Sequence, residues 1–227
     1  MRVLAIDTAL EACSAAVLDT ERGGILASES VAMVRGHAET LMPLVARVMH
    51  DATLEFSELD RIAVTVGPGS FTGLRVGVSA ARGIAVAAGK PAVGLTTLAA
   101  YAAPYIAADD ETPLLAAIDA RNEQVYMQLF GTGGRPLTQP RLAPLRDAVR
   151  AATSGPARIV GSAAAMLAAA WPANEPRPAV VDAARAPVID WVAHLGAAAA
   201  QALALPKPLY LRAPDARPQD AAHLPRR

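Results

Sequence analysis

Apolar residues recur along the first half of the chain with a period that alternates between that of a strand and that of a helix. The pattern predicts strands at residues 3–6, 13–18, 25–30, 61–66 and 91–95, and helices over 40–49, 71–88 and 97–106. Glu21-Arg-Gly-Gly24 predicts a hairpin turn, so the first three strands form an antiparallel meander. In the first helix the apolar residues follow the i, i+3, i+4, i+7 spacing, and Pro43 fits there if Thr40 caps the helix.

The second half of the chain has shorter elements and more proline. An acidic, proline-punctuated stretch over 108–113 marks a break in composition. Beyond it the pattern predicts paired strands at 114–119 and 123–130, a helix near 143–152, a strand at 158–160, and helices near 162–170 and over 188–203. We therefore expect an N-terminal subdomain over 1–107, a smaller C-terminal subdomain over 108–212 and a flexible tail over 213–227.

Composition narrows the functional classes. The chain has 227 residues, 53% hydrophobic and 19% charged, which is enough apolar material for a substantial core. No apolar run is long enough to span a bilayer, and Asp7 directly follows the first short apolar run, so we expect a cytoplasmic protein with no membrane partner. A formal net charge of zero indicates no broad surface for polyanions, and the single cysteine, Cys13, is expected to be a small buried apolar group.

The segment from Gly67 to Arg75, Gly-Pro-Gly-Ser-Phe-Thr-Gly-Leu-Arg, joins a predicted strand to a predicted helix and is called the glycine loop below. Its glycines allow close backbone approach, and it could aim N–H groups outward beside the positive end of the helix dipole. It has neither the Gly-Lys-Ser/Thr ending of a P-loop nor a Rossmann fingerprint, so we expect no phosphate binding by this loop alone. Ser70 does not lie in a Gly-x-Ser-x-Gly elbow, and we interpret it as a helix cap.

Asp7-Thr8-Ala9 follows the first strand, where the actin, Hsp70 and sugar-kinase superfamily places a turn that faces a nucleotide phosphate. Ala9 stands where such turns usually carry a glycine. Two interpretations stay open: a vestigial phosphate turn formed by Asp7 and Thr8, or an aspartate that caps its own turn. Asp119-Ala-Arg121, at the corresponding place in the second half, is a poor phosphate cradle because it lacks glycines.

Metal and nucleophilic chemistry have weak support in the sequence. The four histidines are His37, His50, His194 and His223, and no two have the i, i+3 or i, i+4 spacing that converges on a metal. We therefore expect no catalytic residue, no metal and no cofactor. The alternative is an ATP-dependent phosphotransferase that uses Asp7 and Thr8.

The helix over 71–88 carries Gly73, Gly77 and Ala81 four residues apart, which leaves one face with little bulk. Either a helix of another chain approaches this face closely, or the face packs on the chain's own sheet. The first alternative predicts a partner interface made of Leu41, Val45, Val48, Phe71, Gly73, Leu74, Val76, Gly77, Ala80, Ala81 and Ile84. Burial of apolar area at about 25 cal/mol per Å² would stabilise such an interface.

Five motifs together closely resemble the bacterial TsaB (YeaZ) family. They are Leu4-Ala-Ile-Asp-Thr8, Arg35-Gly-His-Ala-Glu-Thr-Leu-Met-Pro43, Val66-Gly-Pro-Gly-Ser-Phe-Thr-Gly-Leu-Arg-Val-Gly77, Asp119-Ala-Arg121 with Val125-Tyr126, and Leu209-Tyr-Leu-Arg212. The resemblance covers nearly the whole chain. It implies an α/β fold of the actin-like/Hsp70-like (ASKHA) class, with two related subdomains of mixed sheets flanked by helices.

The resemblance also implies a role in making threonylcarbamoyladenosine on tRNA. In that family the chain is a non-catalytic partner that forms homodimers or pairs with the catalytic subunit TsaD through the two helices near the glycine loop. The ATPase TsaE docks on the pair, and tRNA is reached only through the complex. TsaD carries a His-x-x-x-His metal motif where this chain has Thr97 and Tyr101, so neither position supplies an imidazole. A glycoprotease-like peptidase activity therefore has no chemical support here.

Overall fold

The computed structural model describes residues 1–109, 111–154, 158–200 and 204–212. Its first five strands are β1 (Arg2–Asp7), β2 (Ala12–Asp19), β3 (Gly24–Ala32), β4 (Arg61–Gly67) and β5 (Ala92–Thr96), with helices α1 (His37–Asp51), α2 (Phe71–Ala88) and α3 (Thr97–Ala108). The second set comprises β6 (Leu114–Asp119), β7 (Gln124–Phe130), β8 (Arg141–Pro144), β9 (Arg158–Val160) and β10 (Val180–Asp182), with α4 (Leu145–Thr153), α5 (Ala164–Ala169) and α6 (Ile189–Ala198). Within these residues no helix is long and apolar enough to cross a membrane.

The strands form two five-stranded sheets with the same plan. The first sheet has the order β3-β2-β1-β4-β5 and the second β10-β9-β6-β7-β8. In each sheet the first three strands form an antiparallel meander, and the last two run parallel to the first strand. The predicted class, an actin-like α/β fold of two related mixed sheets flanked by helices, is confirmed.

The last helix of each half packs on the sheet of the other half. Helix α6 packs its Ile189 and Val192 on Val3 and Ala63 of the first sheet, while α3 packs its Leu98 on β6. The division of the chain at residue 107 stays a prediction, because the two halves share these helices.

An arginine at the start of a parallel strand holds the end of each exchanged helix. The Arg61 guanidinium donates to the carbonyl oxygens of Gly196 at 2.8 Å and Ala199 at 2.6 Å, at the end of α6. The Arg158 guanidinium donates to the carbonyl oxygen of Tyr105 at 2.7 Å, in the last turn of α3. A cation at this end of a helix complements both the unpaired carbonyls and the helix dipole. The two contacts therefore bind the halves to each other.

Helix α1 begins earlier than predicted. Its cap is Gly36, which has a φ of 91°, and the helix starts at His37, so the prediction that Thr40 caps it is wrong. The His37 ring nitrogen Nε2 lies 3.1 Å from the Leu10 carbonyl oxygen, which fixes the first turn against the chain before β2. Pro43 lies inside the helix on its exposed side. It has no N–H to donate, and on this side water can replace the missing hydrogen bond.

The remaining differences lie in the second half. Strands β8 and β10 were missed because they have only four and three residues, too few to show the alternating pattern of a strand. The last predicted helix ends at Ala198, since Ala199 adopts an extended conformation there. Residues 201–203 of that predicted helix and the predicted tail over 213–227 lie outside the described residues. Cys13 is fully buried in the core of the first sheet, as expected.

Candidate functional site

The turn after β1 is organised around a sealed carboxyl group. Asp7 is 0% exposed, and its Oδ1 accepts hydrogen bonds from the Thr65 hydroxyl and, at 3.1 Å, from the Ala9 N–H. Its Oδ2 has no hydrogen-bond partner among the described residues. Burial raises the pKa of Asp7 above its ordinary value, against the opposing effects of the two hydrogen bonds and of His37. The hydrogen bond from the Ala9 N–H to Oδ1 supports the interpretation in which Asp7 caps its own turn.

The glycine loop closes directly on this turn. The Ser70 N–H donates to the Ala9 carbonyl oxygen at 2.7 Å, and the Thr8 hydroxyl donates to the Gly73 carbonyl oxygen at 2.7 Å. A Cβ atom at Gly69 or Gly73 would overlap the main-chain oxygen of Ala9 or Thr8. These glycines are therefore required for contact between two segments of the same chain. Ser70 caps α2 by accepting from the Gly73 N–H at 3.3 Å, which confirms its predicted role.

The turn does not fit a nucleotide phosphate. The Ala9 N–H, which a phosphate would need, is bonded to Asp7, and the glycine loop occupies the opposite side of the turn. At the corresponding place in the second half, Oδ1 of the exposed Asp119 accepts from the Arg121 N–H at 2.7 Å. Leu10, just after the first turn, packs against an apolar cluster formed mainly by α3 and β6. No step of a phosphoryl transfer follows from this arrangement.

Thr97 and Tyr101, which stand where TsaD has its metal-binding histidines, are both buried in this fold. The Tyr101 hydroxyl donates to the Ala184 carbonyl oxygen at 2.9 Å, and burial raises the pKa of Tyr101 above its ordinary value. Thr97 is fully buried, and its hydroxyl has no partner among the described residues. Across the part of the chain that the structure describes, no three His, Cys, Asp or Glu residues lie together as a metal site. The expectation that the protein uses no metal or cofactor stays a prediction.

Most of the predicted partner interface is covered by the chain itself. Its buried members are Leu41, Val45, Val48, Gly73, Leu74, Gly77, Ala81 and Ile84. The reason is that α1 and α2 use these side chains to cover the first sheet, and Gly77 lies against Thr8 and Val64. The alternative in which the small-residue face packs on the chain's own sheet is thus the one observed. Phe71, Val76 and Ala80 remain at least partly exposed.

The exposed side of α2 is a different set of residues. We call Arg75, Ser79, Arg82, Gly83 and Val86 the outer stripe of α2, because all five are exposed and recur at helical spacing. Val86 is 72% exposed, and Met42 on the neighbouring α1 is 47% exposed. Sequence reasoning missed this stripe because it ranked the faces of α2 by residue size, and the sheet covered the face with the smallest residues. Arg75 and Arg82, seven residues apart, were the available signal for the solvent side.

The segment over 204–212 ties the glycine loop to the second half. The Leu209 N–H donates to the Val66 carbonyl oxygen at 2.7 Å, and Nε of Arg75 donates to the Tyr210 hydroxyl at 3.2 Å. The rings of Phe71 and Tyr210 lie 5.0 Å apart. Arg212 donates to the Ala120 carbonyl oxygen at 3.1 Å, beside the second turn. The glycine loop and the start of α2 are therefore held from two sides.

Comparisons with known proteins agree with this geometry. The family model for TsaD, tRNA N6-adenosine threonylcarbamoyltransferase, matches residues 14–208. The chain is 37% identical over 126 residues to the tRNA threonylcarbamoyladenosine biosynthesis protein TsaB of Escherichia coli, covering 56% of this chain and 53% of that protein. It is 34% identical over 218 residues to an uncharacterized protein of Mycobacterium tuberculosis, covering 95% of this chain and 94% of that protein. The chain thus spans about half the length of its Escherichia coli relative.

Solved structures give the same result. YeaZ from Pseudomonas aeruginosa is similar with a TM-score of 0.78 and 29% identity, covering 92% of this chain and 99% of that chain. An inorganic polyphosphate/ATP-glucomannokinase from Arthrobacter has a TM-score of 0.50 and 13% identity, covering 87% of this chain and 98% of that chain, which shows the shared fold alone. The chain therefore belongs to the family of the TsaD model and, within it, to the TsaB (YeaZ) family.

Proposed function

We propose that this chain is a non-catalytic partner subunit of the machinery that makes threonylcarbamoyladenosine on tRNA. It would pair with the catalytic TsaD subunit, order it, and help to recruit the TsaE ATPase, in the cytoplasm and with tRNA reached only through the complex. One observation carries the proposal: the turn that could face a phosphate is closed by the chain's own glycine loop. A subunit whose site is filled in this way contributes through its surface.

The comparisons support the pathway in which we place the chain. The Escherichia coli relative is named as a threonylcarbamoyladenosine biosynthesis protein. A tRNA N6-adenosine threonylcarbamoyltransferase of Erythrobacter litoralis is 35% identical over 123 residues, covering 48% of this chain and 36% of that enzyme. A subunit related to its own catalytic partner is a natural candidate for pairing with it, since two similar folds present similar helices.

We place the partner on the outer side of α1 and α2. Met42, Phe71 and Val86 are 47%, 38% and 72% exposed there, and Val76 and Ala80 lie half-buried beside them. Large apolar side chains left exposed on a protein surface are typical of interaction sites when a partner covers them together. A standard interface buries about 1,600 Å² in total, and apolar area contributes about 25 cal/mol per Å². This surface replaces the buried residues in our interface prediction.

Replacement of Gly83 by leucine tests this placement. A Cβ at Gly83 meets nothing within 4 Å, and leucine is a better helix former than glycine by roughly 0.8 kcal/mol, so the monomer should fold normally. The leucine side chain would hold a partner helix away from α2. Ala165→Leu is the matched control, because Ala165 is exposed on α5, outside the proposed surface.

We expect Gly83→Leu to abolish co-purification with the TsaD subunit of the same organism and to lower threonylcarbamoyladenosine in a reconstituted reaction, read by mass spectrometry of tRNA nucleosides. Ala165→Leu should behave as the unchanged chain does. Retention of the complex by a folded Gly83→Leu chain would refute this placement of the partner.

The alternative, an ATP-dependent phosphotransferase using Asp7 and Thr8, is supported only by the fold that the chain shares with a kinase. The hydrogen bonds of Thr8 and Ala9 to the glycine loop argue against it. Calorimetry with Mg-ATP separates the two functions. Micromolar binding by the isolated chain that is lost on Asp7→Ala would favour the phosphotransferase, whereas absence of binding agrees with the partner subunit.

A further inference from the structure

The charges on α2 are all of one sign. Arg75 and Arg82 are the only charged residues of this helix, although the whole chain has a formal net charge of zero. They are seven residues apart and therefore point to the same side of the helix, within the outer stripe. Arg82 is exposed and has no hydrogen bond or ion pair within the described ranges. A cation without a partner thus lies in the middle of an exposed helix face.

The start of α2 adds to this positive potential. No acidic residue lies in its first turn, so no carboxylate offsets the positive end of the helix dipole. The Arg75 guanidinium lies 3.8 Å from the centre of the Phe71 ring, which holds the cation at the surface beside an exposed apolar group. Farther along, Val86 is 72% exposed. The stripe therefore combines cations with apolar and small residues along about three turns of α2.

We propose that the outer stripe of α2 binds a helix of a different protein that carries two carboxylates about two helical turns apart, with small or apolar residues between them. This inference rests on the proposed function and specifies the chemistry of the partner. Carboxylates about 10 Å apart along the partner helix would meet Arg75 and Arg82, because seven residues of helix span about 10.5 Å. The exposed apolar side chains would be covered by the same helix.

A second copy of this chain fits the stripe less well. A symmetric dimer uses the same patch on both subunits. Every charge pair that two α2 helices can form is then arginine with arginine. The exposed carboxylates of the neighbouring α1, Glu39 and Asp51, are twelve residues or about 18 Å apart along the helix, so they cannot match the arginine spacing together. Charge complementarity therefore favours a different, acidic protein.

The Arg82→Glu chain supplies both a charge-reversal variant and a helix probe that carries a carboxylate in the stripe. Labelled unchanged chain is titrated with unlabelled unchanged chain or with Arg82→Glu, at low salt and at about 1 M salt, where the Debye length falls to roughly 3 Å. We expect the mixed pair to associate about fivefold more tightly than the unchanged pair at low salt, and the difference to vanish at high salt. Equal affinities at low salt would overturn the inference.

Binding to the TsaD subunit gives the second readout. We expect Arg82→Glu to weaken the complex about tenfold at low salt, with Arg82→Gln intermediate, because glutamine removes the charge without reversing it. Unchanged binding by Arg82→Glu would overturn the inference. If Gly83→Leu still broke the complex, the proposed function would stand even though the inference had failed. Self-association that is as tight as TsaD binding and insensitive to salt would identify a second copy as the occupant. Loss of tRNA binding with TsaD binding intact would identify RNA. Either result also overturns the inference.

Discussion

Replacement of the buried Asp7 by asparagine tests whether the turn after β1 is a structural element with no need for charge. Asparagine has the same shape, and its Oδ1 can still accept from the Thr65 hydroxyl and the Ala9 N–H. The substitution removes the charge on a carboxylate whose second oxygen has no partner. A buried polar group without a partner costs about 1–3 kcal/mol, and more when it is charged. We therefore expect Asp7→Asn to stabilise the protein by about 1–2 kcal/mol near pH 8.

The pH dependence follows from the direction of the shift. Burial raises the pKa of Asp7 in the folded state above the value of about 3.9 that an unfolded chain has. The folded state then holds this proton more tightly, so stability falls as the pH rises from about 4 through the folded pKa. Asp7→Asn removes this contribution, and its advantage over the unchanged protein should grow between about pH 5 and pH 8.

Urea unfolding at the two pH values measures the effect, and thermal unfolding should show a midpoint about 2–6 °C higher for Asp7→Asn near pH 8. Asp19→Asn is the control of opposite sign. Burial tends to raise the pKa of Asp19, but the N–H groups of Glu21 and Arg22 and the Arg2 guanidinium hold it below its ordinary value. That substitution should destabilise above the unfolded pKa. An Asp7→Asn protein that is less stable at both pH values, or whose advantage does not change with pH, would refute the reasoning.

Three further predictions concern the stability of the folded chain. Gly77→Ala should lower the free energy of unfolding, measured in urea, by about 1–3 kcal/mol, because the new Cβ would overlap the Thr8 hydroxyl. Gly83→Ala should raise it by about 0.5–1 kcal/mol, and equal effects of the two substitutions would contradict the observed face of α2. Arg61→Met should destabilise by about 2–4 kcal/mol, because carbonyls at the end of α6 lose their donor, and an unchanged unfolding midpoint would show that water replaces it. Leu209→Ala keeps the backbone hydrogen bond to Val66 but removes a side chain that packs on the core of the first sheet, so it should speed amide exchange in the glycine loop. Unaltered exchange would show that the Leu209 side chain does not help to hold that loop.

Family and fold class could be predicted from the sequence, but the site could not. The strand periods, the cap at Ser70 and the glycine loop are encoded within a few consecutive residues, and the structure has them where the pattern placed them. The start of α1 was misplaced because its first turn is fixed by a contact between His37 and Leu10, which are distant in the chain. The second half was predicted less well, since strands of three or four residues carry little periodic signal.

The sequence by itself determined that α2 has a face of glycine and alanine, that an aspartate ends β1, and that the chain joins the TsaB family. Only the tertiary structure decided what those residues do. Gly73 and Gly77 meet Thr8, and the Asp7 carboxyl meets Thr65, across more than fifty residues of chain. A helical pattern gives the direction in which each side chain points but not what lies there, because burial depends on the segment that folds against that side.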